Sequence, residues 1–464
     1  MSAALDVVVM AAGKGTRMKS RRPKVLHRLA GRALAQHVID CAARLSARSV
    51  VVITGHGADE VEAGLNAPAG TPLRFVRQEP QLGTGHAVQQ AAPVLPDDGV
   101  TLVLSGDVPL TQADTLQALL QACDGQRLAL LTLDLPDPTG YGRIVRTASG
   151  EVQAIVEHKD ATEAQRAIGE IYSGIMAVPT RLLRGWLARL DNRNAQAEYY
   201  LTDVVKFAVA DGLSVVAHRI TDAVQVAGVN SPQQLAELER AYQQRHAQSL
   251  MVQGVRLADP ARLDVRGELV CGQDVEIDVN CVFEGRVVLG DGVRIGANCM
   301  IANAIIDAGA VIHPFTHIDG EKAGVQVGSG ALVGPFARLR PGARLGSEVH
   351  IGNFVEVKNS TLAAGAKANH LAYLGDATVG ERVNYGAGSI TANYDGANKH
   401  RTVIEADVHV GSNCVLVAPV TIGAGGTVGA GSTITKDTPA GALSVARGKP
   451  VTIAGWQRPV KQKR

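Results

Sequence analysis

The sequence predicts two domains of different class: an α/β domain with a mostly parallel, doubly wound sheet, followed by a parallel β-helix of six-residue repeats. Three observations predict this architecture. The first half alternates short apolar runs with helical stretches, and the second half places an apolar residue at every sixth position. The chain also has 464 residues and 51 glycines, so it is too long for one core and rich in tight turns.

Apolar runs locate the strands of the first domain, which we place at residues 1–229. Strands that are apolar on both faces belong to a parallel sheet covered by helices. Helical stretches such as His37–Ala42 and Leu116–Ala122 lie between the runs. The predicted strands are Val7–Met10, Val50–Ile53, Leu102–Leu104 and Leu128–Leu133.

A linking helix is predicted over residues 230–250. Ser231 can cap its N-terminus, Pro232 suits the first turn, and Gln234 stands at the reciprocal position of a capping box.

The repeat domain is placed at residues 251–464. A short fixed period indicates a solenoid in which each turn buries its apolar residue against the next. The longest apolar series are Val327, Val333, Leu339, Leu345, Ile351, Val357 and Val410, Leu416, Ile422, Val428, Ile434. Because a solenoid core needs no interruption, we expect function where the period breaks. These stretches are Asp319–Gln326, Leu362–Leu374 and Ala392–Val403.

Composition restricts the partners and the compartment. The formal charge of +2 gives no reason to expect nucleic acid or a membrane surface as a partner. The six cysteines form no CxxC or CxxH pair, which is typical of small core residues in a reducing compartment. The basic run of Lys461, Lys463 and Arg464 is interpreted as a solvated tail. These features predict a cytoplasmic protein.

A glycine-rich loop follows the first predicted strand. The segment Met10–Met18 combines Gly13 and Gly15 with Lys14 and Arg17. Glycines let backbone N–H groups approach phosphate oxygens, and the cations neutralise charge that develops at phosphorus. The spacing is neither GxGxxG nor GxxxxGK[ST], which disfavours a dinucleotide site and a P-loop kinase. Taken alone, the loop also fits a plain strand–helix turn.

Three further elements favour a nucleotide site over a plain turn. Lys24 adds a cation, residues 81–85 (QLGTG) form a second glycine-rich turn, and Asp107 follows a later strand. Ligands of open α/β sheets bind at the carboxyl ends of the strands. A carboxylate beside a triphosphate commonly acts through Mg²⁺.

The motifs together resemble a known family. Met10–Met18 with Pro23-Lys24 is similar to the nucleotide-diphospho-sugar pyrophosphorylases. With residues 140–143 (GYGR), 157–160 (EHKD) and 198–203 (EYYLTD), the chain resembles the bifunctional N-acetylglucosamine-1-phosphate uridylyltransferase/glucosamine-1-phosphate acetyltransferase family through essentially its whole length. The resemblance implies a Rossmann-like nucleotidyltransferase domain and a left-handed parallel β-helix that assembles as a homotrimer.

The resemblance also implies the residues of uridylyl transfer. Arg17 and Lys24 would be catalytic at the phosphates, and Asp107 and Asn230 would hold Mg²⁺. The implied UTP and UDP-N-acetylglucosamine site is Met10, Ala11, Ala12, Gly13, Lys24, Gln78, Gln81, Gly83, Thr84, Asp107, Gly142, Glu157 and Asn230. The family usually has asparagine where this chain has Tyr172, so the chain departs from the pattern close to the expected sugar contacts.

In the repeat domain, N-acetylation of an amine needs a base, and a histidine titrates near neutral pH. The resemblance makes His370 that base, with Glu356 beside it. Arg338 and Arg340 flank Leu339, so one or both point outward, either to an anion or as a solvated face. The implied glucosamine-phosphate site is Arg338, Lys358, Tyr373, Asn384 and Lys399, and the implied acetyl-coenzyme A site is Ala387, Asn393, Tyr394, Ser412, Ala430 and Arg447.

The function implied by the resemblance is the synthesis of UDP-N-acetylglucosamine, a precursor of bacterial cell-envelope polymers. Acetyl-coenzyme A would acetylate glucosamine 1-phosphate, and UTP with Mg²⁺ would then uridylylate the product. Two alternatives stay open. One is a nucleotidyltransferase for another sugar, with a structural or regulatory solenoid. The other is a solenoid that serves only as an oligomerisation scaffold.

Overall fold

The computed structural model describes residues 4–459, which form two compact units divided between Tyr242 and Gln243. The predicted limits of the domains and linker, at 229/230 and 250/251, stay a prediction. The basic run at 461–464 lies outside the described residues. Within residues 4–459, no helix combines the length and the apolar character that crossing a membrane requires.

The N-terminal unit is built on a mixed sheet. The strands of this unit are β1 (Leu5–Met10), β2 (Arg28–Leu29), β3 (Arg32–Ala33), β4 (Ser49–Thr54), β5 (Leu73–Arg77), β6 (Val100–Ser105), β7 (Leu128–Asp134), β8 (Gly142–Arg146), β9 (Val152–Val156), β10 (Glu170–Pro179) and β11 (Val215–Ile220). The short strands β2 and β3 pair only with each other, and the other nine form the sheet. The sheet has nine strands in the order β11-β7-β10-β6-β1-β4-β5, with β8 paired to β10 and β9 paired to β8. All neighbours along this order are parallel except those of β10, which is antiparallel to β6 and β7.

Helices cover both faces of this sheet, which confirms the predicted α/β class. On one face lie α1 (Leu34–Ala43), α2 (Ala58–Gly64) and α4 (Ala113–Cys123), and on the other lie α3 (Thr84–Ala91), α6 (Thr180–Leu187) and α7 (Asp203–Ala210). The short α5 (Glu163–Arg166) and the long α8 (Pro232–Val252) do not contribute to these two clusters. Val7 and Val9 pack into one apolar cluster, whereas Val8 packs into another on the opposite face. The central strands β1, β4 and β6 carry the predicted apolar runs because both of their faces are buried.

The start of α8 is capped as predicted, with one difference. The Ser231 hydroxyl accepts a hydrogen bond from the Gln234 backbone N–H at 3.2 Å. The Gln234 side chain accepts a bond from the backbone N–H of Asn230 at 2.8 Å rather than from Ser231. The cap therefore fixes the backbone of Asn230 at the beginning of the helix.

The C-terminal unit is a parallel β-helix in which short strands stack from coil to coil. One face contains β12 (Arg256–Leu257), β14 (Glu276–Ile277), β16 (Arg294–Ile295), β18 (Val311–Ile312), β21 (Leu332–Val333), β24 (His350–Asn353), β27 (Lys367–His370), β30 (Asn384–Tyr385), β33 (His409–Val410), β36 (Thr427–Val428) and β38 (Leu443–Ser444). A 16-stranded sheet wraps around the remaining sides.

This second sheet begins with three long strands and then divides into two ladders. The long strands are β13 (Leu263–Cys271), β15 (Cys281–Leu289) and β17 (Met300–Ile306). One ladder contains β19 (His317–Asp319), β22 (Arg338–Leu339), β25 (Glu356–Lys358), β28 (Tyr373–Gly375), β31 (Ile390–Ala392), β34 (Val415–Val417) and β37 (Thr433–Ile434). The other contains β20 (Val325–Val327), β23 (Arg344–Leu345), β26 (Thr361–Leu362), β29 (Ala377–Val379), β32 (Thr402–Ile404) and β35 (Val420–Ile422). The residues of the predicted apolar series are all buried inside these coils.

Two of the three predicted interruptions are confirmed, and one is wrong. Loops leave the coil between β19 and β20 and between β31 and β32. The stretch Leu362–Leu374, in contrast, continues all three ladders through β26, β27 and β28. The period breaks in the sequence because one residue is missing between the buried Val357 and Leu362, and because the small Ala368 fills the next interior position. His370 therefore lies at a regular corner of the β-helix.

Candidate active sites

The glycine-rich loop lies at the carboxyl end of β1. Met10 accepts a hydrogen bond from the Gly106 N–H at 2.9 Å, so the end of β6 lies beside it. Gly15 has a φ of +59°, and a Cβ added there would lie 2.6 Å from the Cβ of Lys24. Only glycine accepts both the left-handed backbone and this close approach. The loop thus folds against the segment that carries Lys24, while Gly13 and Arg17 remain exposed.

Lys24, Asp107 and Asn230 converge on one point. The Lys24 ammonium donates hydrogen bonds to Asp107 Oδ2 and to Asn230 Oδ1, the latter at 3.1 Å. The Val229 N–H bonds the Asp107 carbonyl at 2.9 Å, which holds Asn230 beside the carboxylate. Two side-chain oxygens from distant parts of the chain therefore surround a single positive charge.

These two oxygens fit a divalent cation. The ammonium of Lys24 already shows that a cation is bound between them. Among residues 4–459, no cluster of three or more acidic, histidine or cysteine side chains could form an all-protein cage. Mg²⁺ typically binds through one or two protein oxygens and completes its octahedron with water and substrate phosphates. Asp107 and Asn230 are such a pair.

Four residues that the resemblance places on the uracil side of the nucleotide, Gln78, Gln81, Gly83 and Thr84, form a second group of contacts. The Gln78 amide donates to the Gly83 carbonyl at 2.9 Å, and Gln81 donates to the Gln78 carbonyl at 3.1 Å. Thr84 Oγ1 accepts from the Leu201 N–H at 3.0 Å. This ties the second glycine-rich turn to the segment 198–203.

Gly142 and Glu157 lie together, as the resemblance implied. A Cβ at Gly142 would lie 3.7 Å from both carboxylate oxygens of Glu157. Glu157 Oε1 accepts from the Thr202 hydroxyl at 3.0 Å. Burial raises the pKa of Glu157, and the hydrogen bond from Thr202 opposes this. A largely buried carboxylate with one protein donor suits a ligand that brings further donors.

Tyr172 is the neighbour of Gly142 across the strand pair β8–β10. The side chain is 7% exposed and lies in the apolar cluster of one sheet face. Its hydroxyl is buried and has no hydrogen-bond partner among the described residues. Burial, and then the Glu157 carboxylate, raise the pKa of Tyr172. Tyr172 therefore fills space beside the predicted sugar contacts.

In the β-helix, cations gather around Lys358. The pKa of Lys358 lies below its ordinary value, mainly because of the neighbouring Lys399 and then because of burial and the charge of Arg340. The carboxylate of Asp376 acts in the opposite direction and raises it. Arg340 bonds Glu356 at 2.9 Å, and the more exposed Arg338 does so at 3.4 Å. Crowded like charges of this kind favour binding of an anion. Both arginines point outward, and Arg340 is the one whose charge acts on Lys358.

Asp376 anchors the loop between β31 and β32. The carboxylate is 7% exposed and accepts hydrogen bonds from the amides of Asn359 and Asn393. Tyr394 forms a bridge with Lys399 and donates to the Gly396 carbonyl at 2.6 Å. The predicted Asn393 and Tyr394 are thus tied to the same cluster as Lys358. Tyr373 lies beside Glu356 in register, whereas Asn384 lies on another face, beside Lys367.

His370 belongs to a column of equivalent corner residues. The carbonyls of Asn353, His370, Ala387 and Ser412 each accept a backbone bond from the next coil, donated by Leu371, Gly388, Asn413 and Gly431. Ala430 follows at the next corner, and its carbonyl accepts from the Arg447 guanidinium at 2.7 Å. His370 and the four residues Ala387, Ser412, Ala430 and Arg447 therefore lie along one edge of the β-helix. This arrangement brings the predicted base into one line with four of the six predicted acetyl-coenzyme A contacts, whereas Asn393 and Tyr394 lie in the loop between β31 and β32.

Comparisons with known proteins agree with this division of the chain. A model of the MobA-like NTP transferase domain matches residues 7–172, and the bacterial transferase hexapeptide model matches residues 269–303 and 401–436. "Bifunctional protein GlmU" of Polaromonas naphthalenivorans (strain CJ2) is 82% identical over 99% of this chain and 98% of its own length. The GlmU proteins of Paracidovorax citrulli and Cupriavidus pinatubonensis are 76% and 58% identical, each over 99% of both chains. The chain belongs to the GlmU family of bifunctional proteins.

Membership of the GlmU family confirms the family predicted from the motifs of both halves. It also confirms the fold class, a nucleotidyltransferase domain followed by a left-handed hexapeptide β-helix. The structure adds Asn353 and Asp376 to the β-helix site, and of the two arginines that the sequence singled out it favours Arg340. Asn353 bonds His370, Asp376 anchors Asn393, and Arg340 acts on Lys358 in preference to Arg338. None of these relations is visible in the sequence, because each joins different coils.

Proposed function

We propose that the chain makes UDP-N-acetylglucosamine in two steps. The β-helix transfers an acetyl group from acetyl-coenzyme A to the amine of glucosamine 1-phosphate. The N-terminal unit then joins N-acetylglucosamine 1-phosphate to the uridylyl group of UTP and releases pyrophosphate. Both co-substrates are cytoplasmic metabolites, so we place the enzyme in the cytoplasm.

The uridylyl step rests on the convergence of Lys24, Asp107 and Asn230. The sugar phosphate attacks the α-phosphorus of UTP in line with the departing pyrophosphate. Backbone N–H groups of Ala12 and Gly13 and the cations Arg17 and Lys24 hold the phosphates and balance their charge. Asp107 and Asn230 would hold Mg²⁺, which supplies further charge neutralisation when bound. Gly142 leaves room for the sugar, and Glu157 accepts hydrogen bonds from it.

The acetyl step rests on the corner column, by which we mean the stacked corner residues Asn353, His370, Ala387, Ser412 and Ala430. His370 Nε2 takes a proton as the amine nitrogen attacks the thioester carbonyl. The new C–N bond forms, the C–S bond breaks, and the coenzyme thiolate takes up a proton. Arg340, Lys358 and Lys399 bind the sugar phosphate from neighbouring coils. Ala387, Ser412 and Ala430 continue the edge above His370 with small side chains, which leave room for an extended cofactor.

We further propose that the β-helix forms a homotrimer through the part of the same edge that lies below His370, that is, in the coils that precede it in the sequence. One position after the corner, Phe315, Phe336, Phe354 and Leu371 are about half exposed in four successive coils, and the three rings are stacked. An exposed apolar strip beside a catalytic residue is typical of a surface covered by a second copy. Phe336→Asp should reduce the particle mass in size-exclusion chromatography with light scattering from three chains to one. An unchanged mass would contradict this surface.

The decisive experiment supplies the full-length protein with glucosamine 1-phosphate, acetyl-coenzyme A, UTP and Mg²⁺, omits each in turn, and identifies products by mass spectrometry. His370→Ala should lower acetyl transfer by about 10²- to 10⁴-fold and leave uridylylation of supplied N-acetylglucosamine 1-phosphate intact. Asp107→Asn should do the reverse. His350→Ala, on the same β-helix face, is the matched control and should change neither rate. If acetyl-coenzyme A is not consumed, the chain is a single-function nucleotidyltransferase.

A further inference from the structure

We infer that Asn353 is the positioning residue that sets the tautomer and orientation of the His370 imidazole. The inference rests on the proposed function, since it matters only if His370 is the base. The resemblance implied Glu356 next to His370, but the side chain of Glu356 pairs with Arg338 and Arg340. His370 Nδ1 lies 2.9 Å from Asn353 Oδ1 instead.

The contact is built into the β-helix. Asn353 ends β24 and His370 ends β27, and the two residues are direct neighbours in the parallel register. Their corners are joined by a further bond, from the Leu371 N–H to the Asn353 carbonyl at 3.0 Å. The Asn353 amide is therefore held directly below the imidazole by two coils of rigid backbone.

The chemistry of the amide decides which nitrogen is free. If Asn353 Oδ1 accepts from Nδ1–H, the lone pair of His370 is on Nε2, the nitrogen that points away from Asn353. A base needs that lone pair in order to remove a proton. An amide turned the other way would donate to Nδ1 and leave the proton on Nε2, where it would block the reaction. A neutral amide suits the role because it accepts a bond without adding a charge.

Two substitutions separate these possibilities. Asn353→Leu keeps the approximate size but removes the acceptor, and Asn353→Asp keeps an acceptor that cannot donate. We expect Asn353→Leu to lower the acetyl-transfer kcat about three- to tenfold, the effect of one hydrogen bond, with KM for both substrates unchanged. Asn353→Asp should retain most of kcat. Asn369→Ala removes an amide adjacent to His370 in the sequence and is the matched control.

The direct readout is ¹⁵N nuclear magnetic resonance of histidine-labelled full-length protein. The His370 signals, assigned by their loss in His370→Ala, should show protonated Nδ1 in the wild type and in Asn353→Asp, and a mixture of tautomers in Asn353→Leu. A wild-type imidazole protonated on Nε2, or equal kcat values for Asn353→Leu and wild type, would overturn the inference. Full acetyl transfer by His370→Ala would overturn the proposed base itself, which is a separate result.

Discussion

Removal of the Lys24 ammonium should strengthen metal binding by the nucleotide-free enzyme. In the structure this ammonium takes the place between Asp107 and Asn230 that a divalent cation would occupy, so the metal must first displace it. A hydrogen bond to a charged group contributes about 1.5–3 kcal/mol. Because the Lys24 and Asp107 side chains are still 14% and 20% exposed, we take the lower part of this range. About 1.5–2 kcal/mol corresponds to roughly 12- to 30-fold in affinity.

The assay is a titration with Mn²⁺, in which the unbound ion is measured by electron paramagnetic resonance. Lys24→Met should bind about tenfold more tightly than wild type in the absence of UTP. Lys14→Met removes the same charge from an exposed position of the same loop and controls for long-range electrostatics. Asp107→Asn should abolish tight binding. Equal gains in Lys24→Met and Lys14→Met, or weaker binding by Lys24→Met, would refute direct competition at this site.

Three further predictions concern stability. Tyr172→Phe removes a buried hydroxyl that has no hydrogen-bond partner among the described residues. The free energy of unfolding, measured in urea, should therefore rise by about 1 kcal/mol, whereas a decrease would mean that the hydroxyl is bonded. Burial raises the pKa of Glu157 above its ordinary value of 4.5, so ionisation above that pH costs the native state stability. Glu157→Gln should therefore raise Tm at pH 8 but not at pH 4, and an equal gain at both values would contradict this. Leu339→Ala empties a fully buried interior position and should destabilise the β-helix by about 2–5 kcal/mol in the same urea assay, whereas a loss below about 1 kcal/mol would indicate a collapsible core.

The sequence predicted the fold class well because burial leaves a direct trace in residue type. A strand buried on both faces contains an uninterrupted apolar run, such as Val50–Ile53, and each coil of the β-helix needs a buried apolar residue. The antiparallel direction of β10 was not predicted, because an apolar run does not encode the direction of its neighbour. The false interruption at Leu362–Leu374 has a similar cause, since a one-residue deletion is absorbed at a corner and changes no ladder.

The N-terminal site was more accessible to sequence reasoning than the C-terminal site. Its elements follow strand ends of one sheet, and the carboxyl ends of parallel neighbours must share an edge. Asp107 and the glycine-rich loop could therefore be placed together from the order of strands and loops in the sequence. Asn230 could not, because it depends on the path of the chain from β11 to α8, and only the resemblance pointed to it.

The corner column shows why the C-terminal site needs a structure. Its residues are separated by unequal stretches of sequence, since one coil lacks a residue and another contains the loop between β31 and β32. A periodic search therefore cannot align Asn353 with His370, Ala387 and Ser412. The core also places no constraint on corner side chains, because they point away from it. At the position after each corner, the four coils up to that of His370 have large apolar side chains, whereas the later coils have Gly388, Asn413 and Gly431. Since the fold needs neither kind of residue there, the change agrees with the two proposed contacts along this edge: another chain at the coils that precede His370, and the cofactor at the coils that follow it.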